Sequence, residues 1–223
     1  MWIKICGNTN LEDAQLAVEA GANAVGFVFA ASPRQVTVNT VSRITPHLPG
    51  TIEKYGVFVD AGFDEIVQAV TVSGLTGAQL HSIGDPLLPS KLREHFGPAF
   101  GILRVIHYAQ DLETQLNALR ENNATDAVLI DSRTATAVGG TGIRFDWQAA
   151  SRSFLDSAPR LRLIAAGGLK PENVAEAIRL LEPWGVDVAS GVESAPGKKD
   201  PTRIRAFVTE AKMAADAITA SSR

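Results

Sequence analysis

The stretch RLRLIAAGGLKPENVAEAIRLLE, residues 160–182, contains every part of a parallel βα unit. It begins with a short run of aliphatic residues, the composition of a strand that is buried on both faces, and the run ends in two glycines. From Pro171 onward, apolar residues recur at helical spacing, and proline is favoured at the first position of a helix. The stretch therefore predicts a strand, a tight glycine turn and a helix.

The same alternation extends through the rest of the chain. Eight apolar runs precede longer amphipathic segments, at roughly 28 residues for each unit. The runs are WIKIC, NAVGFVF, EKYGVFVD, GAQLH, FGILRVIHY, DAVLIDS, RLRLIAAGG and GVDVASG. Eight such units predict an α/β fold, a single (β/α)8 or TIM barrel domain over residues 1–223. A doubly wound open sheet shows the same alternation, but no G-x-G-x-x-G follows the first strand.

The composition excludes several classes of protein. The chain has 223 residues, of which 45% are hydrophobic and 20% charged, and its net charge of −3 offers no basic field for nucleic acid. No apolar run reaches the ~18 residues of a membrane span, and no signal peptide is visible. The single cysteine excludes an intramolecular disulfide and fits a reducing cytoplasm. One cysteine and scattered histidines give no metal-ligand spacing.

Two glycine-containing loops predict a phosphate site. Gly167 and Gly168 follow strand seven, and Ser190 and Gly191 follow strand eight. Glycines let the backbone approach a ligand closely, and barrels of this class commonly bind phosphate at these two loops. One glycine pair could simply make a tight turn. A glycine-containing loop after each of the two strands favours the phosphate site.

Several polar side chains fall within or just after the predicted strands. Alternation places Lys4 and Cys6 on one face of strand one, and Gln79 and His81 on one face of strand four. Asp187 stands between two valines of strand eight. Burying such groups unpaired costs about 1–3 kcal/mol each, so they must pair with one another or contact a ligand. His81, at the end of its strand, is predicted to contact substrate at the barrel mouth.

Asp131 and Cys6 form the candidate catalytic pair. Asp131 ends strand six, where an aspartate often only caps a helix or closes a turn. In a closed barrel, strands six, seven, eight and one are consecutive, so the two glycine loops lie between Asp131 and Cys6. A phosphosugar anchored there would have its sugar carbons between a carboxyl group and a thiol, which suits acid–base chemistry. Cys6 as a nucleophile is the competing role, but no histidine follows a cysteine-protease pattern.

Two further loops contain residues suited to a substrate. The GGTG segment at 139–142 is either a loop that closes over substrate or an ordinary surface loop. Arg34, in SPRQV, is a planar donor that suits a carboxylate or a phosphate. A lone loop arginine is usually just solvated, so this position alone decides nothing.

Taken together, these segments resemble the phosphoribosylanthranilate isomerases, the barrel enzymes of tryptophan biosynthesis. The matching segments cover nearly the whole chain: KICGNTN, GFVF with SPRQV, VFVD, QLH, VLIDS, GGTG with FDW, GGLKPENV and VDVASGVESAPGKKD. The resemblance implies an Amadori rearrangement of the phosphosugar N-(5-phosphoribosyl)anthranilate to 1-(2-carboxyphenylamino)-1-deoxyribulose 5-phosphate. It implies neither a cofactor nor a metal.

The resemblance also implies roles for individual residues. Cys6 would be the general base and Asp131 the general acid, while Arg34 would hold the anthranilate carboxylate and Asp187 would lie near the substrate. The family usually reads QLHG after strand four, and Ser82 replaces that glycine here, so we expect a local difference in the fourth loop.

Some questions stay open from the sequence. A free thiol near pKa 8.5 is mostly protonated at neutral pH, so we expect the site to favour the thiolate of Cys6. Lys4 either assists electrostatically or is an ion-pair partner of Asp187, and the second is favoured. We expect a cytoplasmic monomer or homodimer that binds a small phosphosugar and neither nucleic acid nor membrane.

Related barrels are the alternatives. The histidine-pathway isomerase uses two aspartates, one of them ending strand one, where this chain has Cys6. Indole-glycerol phosphate synthase needs an acid–base lysine and an extra N-terminal helix, and neither is apparent. A non-catalytic phosphosugar-binding barrel is the alternative of a different class, and the presence of both Cys6 and Asp131 argues against it.

Overall fold

The computed structural model describes residues 1–81, 85–107, 119, 123–131 and 161–221. Within these ranges, eight parallel strands close into a barrel in sequence order, and the eighth pairs with the first. The predicted barrel is therefore confirmed, and the open-sheet alternative is excluded. The strands are Trp2–Ile5 (β1), Ala24–Val28 (β2), Glu53–Phe58 (β3), Gly77–Leu80 (β4), Gly101–His107 (β5), Ala127–Asp131 (β6), Arg162–Ala166 (β7) and Gly185–Val188 (β8).

Six α-helices fall within the described part of the chain, and none of them is long and apolar enough to cross a membrane. The segments 111–122 and 146–155, which follow strands five and six and were predicted as helices, lie outside the described residues, apart from Leu119. The six helices are Leu11–Glu19 (α1), Val38–Ser42 (α2), Phe63–Ser73 (α3), Leu88–Phe96 (α4), Pro171–Leu181 (α5) and Pro201–Ser221 (α6).

Local sequence signals account for the helix starts beside the barrel mouth. Asn10 caps α1, because its side-chain oxygen accepts a hydrogen bond of 2.8 Å from the backbone N–H of Asp13. Pro171 opens α5, and the preceding Lys170 N–H donates to the Asn173 side chain at 2.8 Å. The start at Pro171 agrees with the prediction, and the two caps fix the loops that precede these helices at the carboxyl ends of β1 and β7.

The strands divide the core into two parts. Ile3 and Ile5 point outward from β1 and are fully buried with the helices in the main hydrophobic cluster. Trp2 and Tyr55 belong to a second cluster, and Trp2 lies on the same face of β1 as Lys4. The interior of the barrel is thus apolar toward the amino ends of its strands and polar toward their carboxyl ends.

A small antiparallel hairpin follows β8 and was not predicted. It consists of Glu193–Ala195 (β9) and Lys198–Lys199 (β10), preceded by a 3₁₀ turn at Ser190–Val192. The backbone N–H of Lys199 donates to the Asp13 carboxylate at 3.0 Å, which ties the hairpin to α1. This β9–β10 hairpin therefore lies against the carboxyl ends of β1 and β8.

Candidate active site

A cavity of about 240 Å³ lies at the carboxyl ends of the strands. It brings together most of the residues that the sequence singled out, although they come from six different strands or loops. Asp187 lines it from β8 itself, and the other members follow strand ends or lie close to them. The predicted residues in its wall are Cys6, Arg34, His81, Gly167, Gly168, Asp187 and Ser190, together with Gln79.

A buried charge network forms the floor of this cavity. Lys4 is fully buried, and its Nζ donates at 2.8 Å to the carboxylate of Asp187 and at 2.8 Å to the side-chain oxygen of Gln79. The strand register places Lys4 directly beside Asp187, because β1 and β8 are neighbours in the closed barrel. The expectation that these polar groups pair with one another is confirmed.

Gly26 makes room for the thiol and the ammonium above the floor. A Cβ atom built on Gly26 would lie 2.7 Å from Cys6 Sγ and 3.0 Å from Lys4 Nζ. No side chain fits there, so β2 leaves open the space that the two functional groups share. Cys6 is only 6% exposed, yet it lines the cavity.

The environment of Cys6 keeps it protonated. Burial raises the pKa of the Cys6 thiol, and the charge of Asp187 raises it further. The charges of Lys4 and Lys199 and a hydrogen bond from Lys4 lower this pKa, but they offset only part of the effect of burial. In this structure the cavity favours the thiol, contrary to the expectation that it favours the thiolate.

Lys4 itself stays charged. Burial lowers the pKa of its ammonium, but the charges of Asp187 and Cys6 and hydrogen bonds to both outweigh burial and raise that pKa above the ordinary lysine value. The floor of the cavity therefore holds a permanent cation beside the thiol.

The two glycine loops meet at the edge of the cavity. Gly167 and Gly168 have φ values of +81° and +65°, in the left-handed region that favours glycine. A Cβ atom on Gly191 would overlap the carbonyl oxygen of Leu169, so the loop after β8 packs directly on the loop after β7. Together these loops present glycine backbone beside the start of α5, where an anion would be stabilised.

Arg34 is held by a residue that the sequence analysis missed. Its Nε donates to one carboxylate oxygen of Glu193 at 2.8 Å, and its Nη2 donates to the other at 2.6 Å. The same carboxylate accepts from Lys199 Nζ at 3.1 Å. Glu193 and Lys199 belong to the SGVESAPGKKD segment, in which oppositely charged residues just after a barrel strand were the only available signal.

Lys199 also binds the backbone beside the thiol. Its buried ammonium donates to the carbonyl oxygen of Cys6 at 2.6 Å and to that of Ala189 at 3.1 Å. Burial lowers the pKa of Lys199, and the negative charge of Glu193 offsets this only in part. The ends of β1 and β8 are therefore joined through one lysine of the hairpin.

Asp131 ends β6, where its Cα pairs in register with Ala166, the residue before the glycine pair. Its backbone is thus at the carboxyl edge of the barrel, two strands before β8, and its side chain lies outside what the structure describes. Ser82 and the GGTG segment at 139–142 also lie outside the described residues. Among the residues that are described, no group of three His, Cys, Asp or Glu side chains could hold a metal ion.

Comparison with known families accounts for this arrangement. The sequence model described as N-(5'phosphoribosyl)anthranilate (PRA) isomerase matches residues 3–210. The chain belongs to the phosphoribosylanthranilate isomerase family. It is therefore an isomerase of tryptophan biosynthesis, and the family that its motifs resemble is confirmed.

Individual phosphoribosylanthranilate isomerases match over nearly their full length. The isomerase of Pelobacter propionicus is 43% identical over 211 residues, which cover 94% of this chain and 95% of that protein. The crystal structure of the isomerase from Thermotoga maritima superposes with a TM-score of 0.81 at 38% identity and covers 96% of this chain and 99% of that one.

A phosphoribosylanthranilate isomerase in complex with reduced 1-(o-carboxyphenylamino)-1-deoxyribulose 5-phosphate gives a TM-score of 0.79 at 36% identity. The match covers 96% of this chain and 99% of that one. These matches exclude the three alternatives that the sequence left: the histidine-pathway isomerase, indole-glycerol phosphate synthase and a non-catalytic barrel.

Proposed function

We propose that the cavity rearranges N-(5-phosphoribosyl)anthranilate with Cys6 as the general base and Asp131 as the general acid. The observation that carries the proposal is the order of elements around the barrel. Cys6 follows β1 and Asp131 ends β6, and the two glycine loops after β7 and β8 lie between them. A substrate anchored by its phosphate at these loops has its sugar carbons within reach of both groups.

The binding of the substrate follows from the same geometry. The phosphate binds at Gly167, Gly168, Ser190 and Gly191, where backbone N–H groups and the start of α5 favour an anion. The carboxylate of the anthranilate ring binds Arg34. A guanidinium has five N–H donors, and Glu193 uses two of them, so three are left for the ligand.

Two further polar side chains complete the proposed binding site. His81 and Asp187 both line the cavity, and we assign them contacts with the sugar. A relative at 36% identity is in complex with reduced 1-(o-carboxyphenylamino)-1-deoxyribulose 5-phosphate, which supports a phosphosugar of this class as the ligand. Neither group is required to move a proton in the proposed reaction.

The proposed chemistry has three steps. Asp131 protonates the furanose ring oxygen, which opens the ring and leaves a Schiff base at the first sugar carbon. Cys6, as thiolate, removes the proton from the second carbon and gives an enolamine. The enolamine then gains a proton at the first carbon, loses the hydroxyl proton at the second carbon and becomes the ketone.

The raised pKa of Cys6 gives this mechanism a pH dependence. Only a small fraction of the enzyme has the thiolate at neutral pH, but a thiolate of higher pKa is a stronger base. We expect kcat/KM to rise with pH until the thiol has titrated.

Loss of substrate fluorescence on incubation with fresh N-(5-phosphoribosyl)anthranilate tests the assignment. Cys6→Ala and Asp131→Asn should each lower kcat at least ~100-fold, because positioned acid–base groups supply ~10²–10⁴-fold. Affinity for a product analogue should change far less. Cys6→Ser nearly preserves the side-chain volume and removes the strong base. If the kcat of this variant stays within a few-fold of the parent value, Cys6 is a packing residue and not the base.

The remaining assignments concern the whole protein. We propose one domain over residues 1–223 in the cytoplasm, where a buried catalytic thiol stays reduced. An isomerase from Thermotoga maritima that is described as dimeric leaves monomer and homodimer as the two candidates here. Light scattering at assay concentration distinguishes them.

A further inference from the structure

Glu193 makes contacts that suit a positioning residue. It grips one edge of the Arg34 guanidinium with both carboxylate oxygens, at 2.8 and 2.6 Å. Its side chain is only 4% exposed, whereas that of Arg34 is 20% exposed. Arg34 lines the cavity, while Glu193 is not among the described residues of its wall. Glu193 therefore touches the proposed ligand-binding group and has no contact with the ligand space.

The contact between Glu193 and Arg34 leaves three N–H donors of the guanidinium available to a ligand. Glu193 occupies Nε and one hydrogen of Nη2, so the two hydrogens of Nη1 and the other hydrogen of Nη2 remain. These lie on neighbouring nitrogens of a planar group, the arrangement that binds a second carboxylate through two parallel hydrogen bonds. A guanidinium without the grip would sample many rotamers, and a ligand would have to order it.

Lys199 holds Glu193 in place from the other side. Its ammonium is fully buried, donates to Glu193 at 3.1 Å and also donates to the carbonyl oxygen of Cys6 at 2.6 Å. The β9–β10 register sets Lys199 opposite Glu193, so the hairpin itself fixes this contact. Burial raises the pKa of the Glu193 carboxyl, but the hydrogen bonds and charges of Arg34 and Lys199 outweigh it and keep that pKa below its ordinary value. Glu193 is thus ionised when the enzyme works.

We propose that Glu193 is a positioning residue that presents Arg34 to the carboxylate of the substrate's aromatic ring. The β9–β10 hairpin, through Lys199, joins this specificity element to the backbone of Cys6. The inference rests on the proposed role of Arg34 as the carboxylate-binding residue. It adds that recognition of the ring depends on Glu193 and Lys199, which support Arg34 and do not line the cavity.

Binding calorimetry with two product analogues, one with the ring carboxylate and one without it, tests the proposal. Glu193→Gln keeps the shape but cannot accept both hydrogen bonds from Arg34. We expect it to bind the carboxylated analogue about 3- to 10-fold more weakly, which is the cost of ordering one long side chain, and to bind the other analogue as before. KM should rise by a similar factor while kcat stays within about twofold. Glu193→Asp, which keeps the charge, should recover part of the loss.

Arg34→Ala separates this proposal from the proposed function. If Arg34→Ala fails to discriminate between the analogues, the carboxylate role of Arg34 is wrong. If Arg34→Ala discriminates and Glu193→Gln does not, or Glu193→Gln binds the carboxylated analogue more tightly, the positioning role is wrong. In the Arg34→Ala background, Glu193→Gln should have no further effect on binding. Lys198→Ala, on the exposed side of the same hairpin, is the matched control and should leave both affinities unchanged.

Discussion

Replacing Lys4 by methionine tests whether the buried ammonium governs the thiol of Cys6. The position that a Cβ atom on Gly26 would occupy is 2.7 Å from Cys6 Sγ and 3.0 Å from Lys4 Nζ. At the largest separation that these distances allow, ~6 Å, two unit charges interact by about 3 kcal/mol with an effective dielectric constant near 20. That energy corresponds to a thiolate fraction roughly 100-fold lower without the ammonium. Water and local rearrangement reduce the effect, so we expect a loss of about 10- to 100-fold.

The rate of alkylation by iodoacetamide at neutral pH rises and falls with this fraction, and the pH at which the rate is half-maximal gives the pKa of the thiol. Cys6 is the only cysteine of the chain, so the modified residue is unambiguous. Lys4→Met also leaves the Asp187 carboxylate without its partner, which costs about 3–5 kcal/mol of folding free energy. The midpoint of thermal unfolding should therefore fall by ~6–20 °C, and alkylation must be measured well below it.

Two further variants test the direction of the electrostatic effect and provide a control. Asp187→Asn removes the charge that raises the pKa of Cys6, so it should alkylate faster than the parent protein. Lys91→Met breaks an exposed pair with Asp85, 2.8 Å long, and should change neither the alkylation rate nor the stability appreciably. A folded Lys4→Met protein that alkylates at the parent rate, or an Asp187→Asn protein that alkylates more slowly, would refute the electrostatic reasoning.

Three other predictions test separate parts of the structure. Gly168→Val should weaken the binding of a product analogue at least ~10-fold in calorimetry, because a valine at φ +65° distorts the loop after β7. Gly50→Ala is the control and should leave this affinity unchanged, because a Cβ atom on Gly50 has open space around it. Because the pKa of Glu193 is lowered, the stability that its carboxylate provides is present above its ordinary value of 4.5 and is lost as pH falls through the folded pKa. The difference in urea unfolding free energy between the parent protein and Glu193→Gln should therefore shrink in acid, and a constant difference would contradict the assignment. Arg93→Ala removes a 2.6 Å ion pair with Asp126 and several bonds to carbonyl oxygens at the amino ends of the strands, so it should cost ~2–3 kcal/mol of stability and leave kcat unchanged.

The parts of the site that the sequence predicted are those that the barrel topology forces together. Alternation places Lys4 and Gln79 on inward faces of their strands, and closure makes β8 a neighbour of β1. Once the barrel is predicted, the pairing of Lys4 with Asp187 follows, because neither group can be buried alone. The same reasoning brought the two glycine loops to one edge of the cavity.

The parts that sequence reasoning missed depend on packing rather than on periodicity. Arg34 and Glu193 are 159 residues apart, and the strands of the β9–β10 hairpin are three and two residues long, too short for alternation to be visible. The expectation that the site favours the thiolate of Cys6 was wrong for a related reason. The pKa of Cys6 depends on how completely the thiol is buried against Gly26 and the floor of the cavity, which no local pattern reports.

Cys6, the proposed base, and Arg34, the proposed carboxylate-binding residue, share one support. Lys199 binds the carbonyl oxygen of Cys6, and the next residue, Gly7, lies against Arg34, where a Cβ atom would come within 2.6 Å of Arg34 Cδ. Lys199 also donates to the carboxylate of Glu193, which accepts hydrogen bonds from the guanidinium of Arg34. A displacement of the hairpin would therefore move the backbone of Cys6 and the guanidinium of Arg34 together. If Cys6 and Arg34 have the proposed roles, this shared support keeps the sugar carbon near the thiol while the ring carboxylate binds the guanidinium, as acid–base catalysis requires.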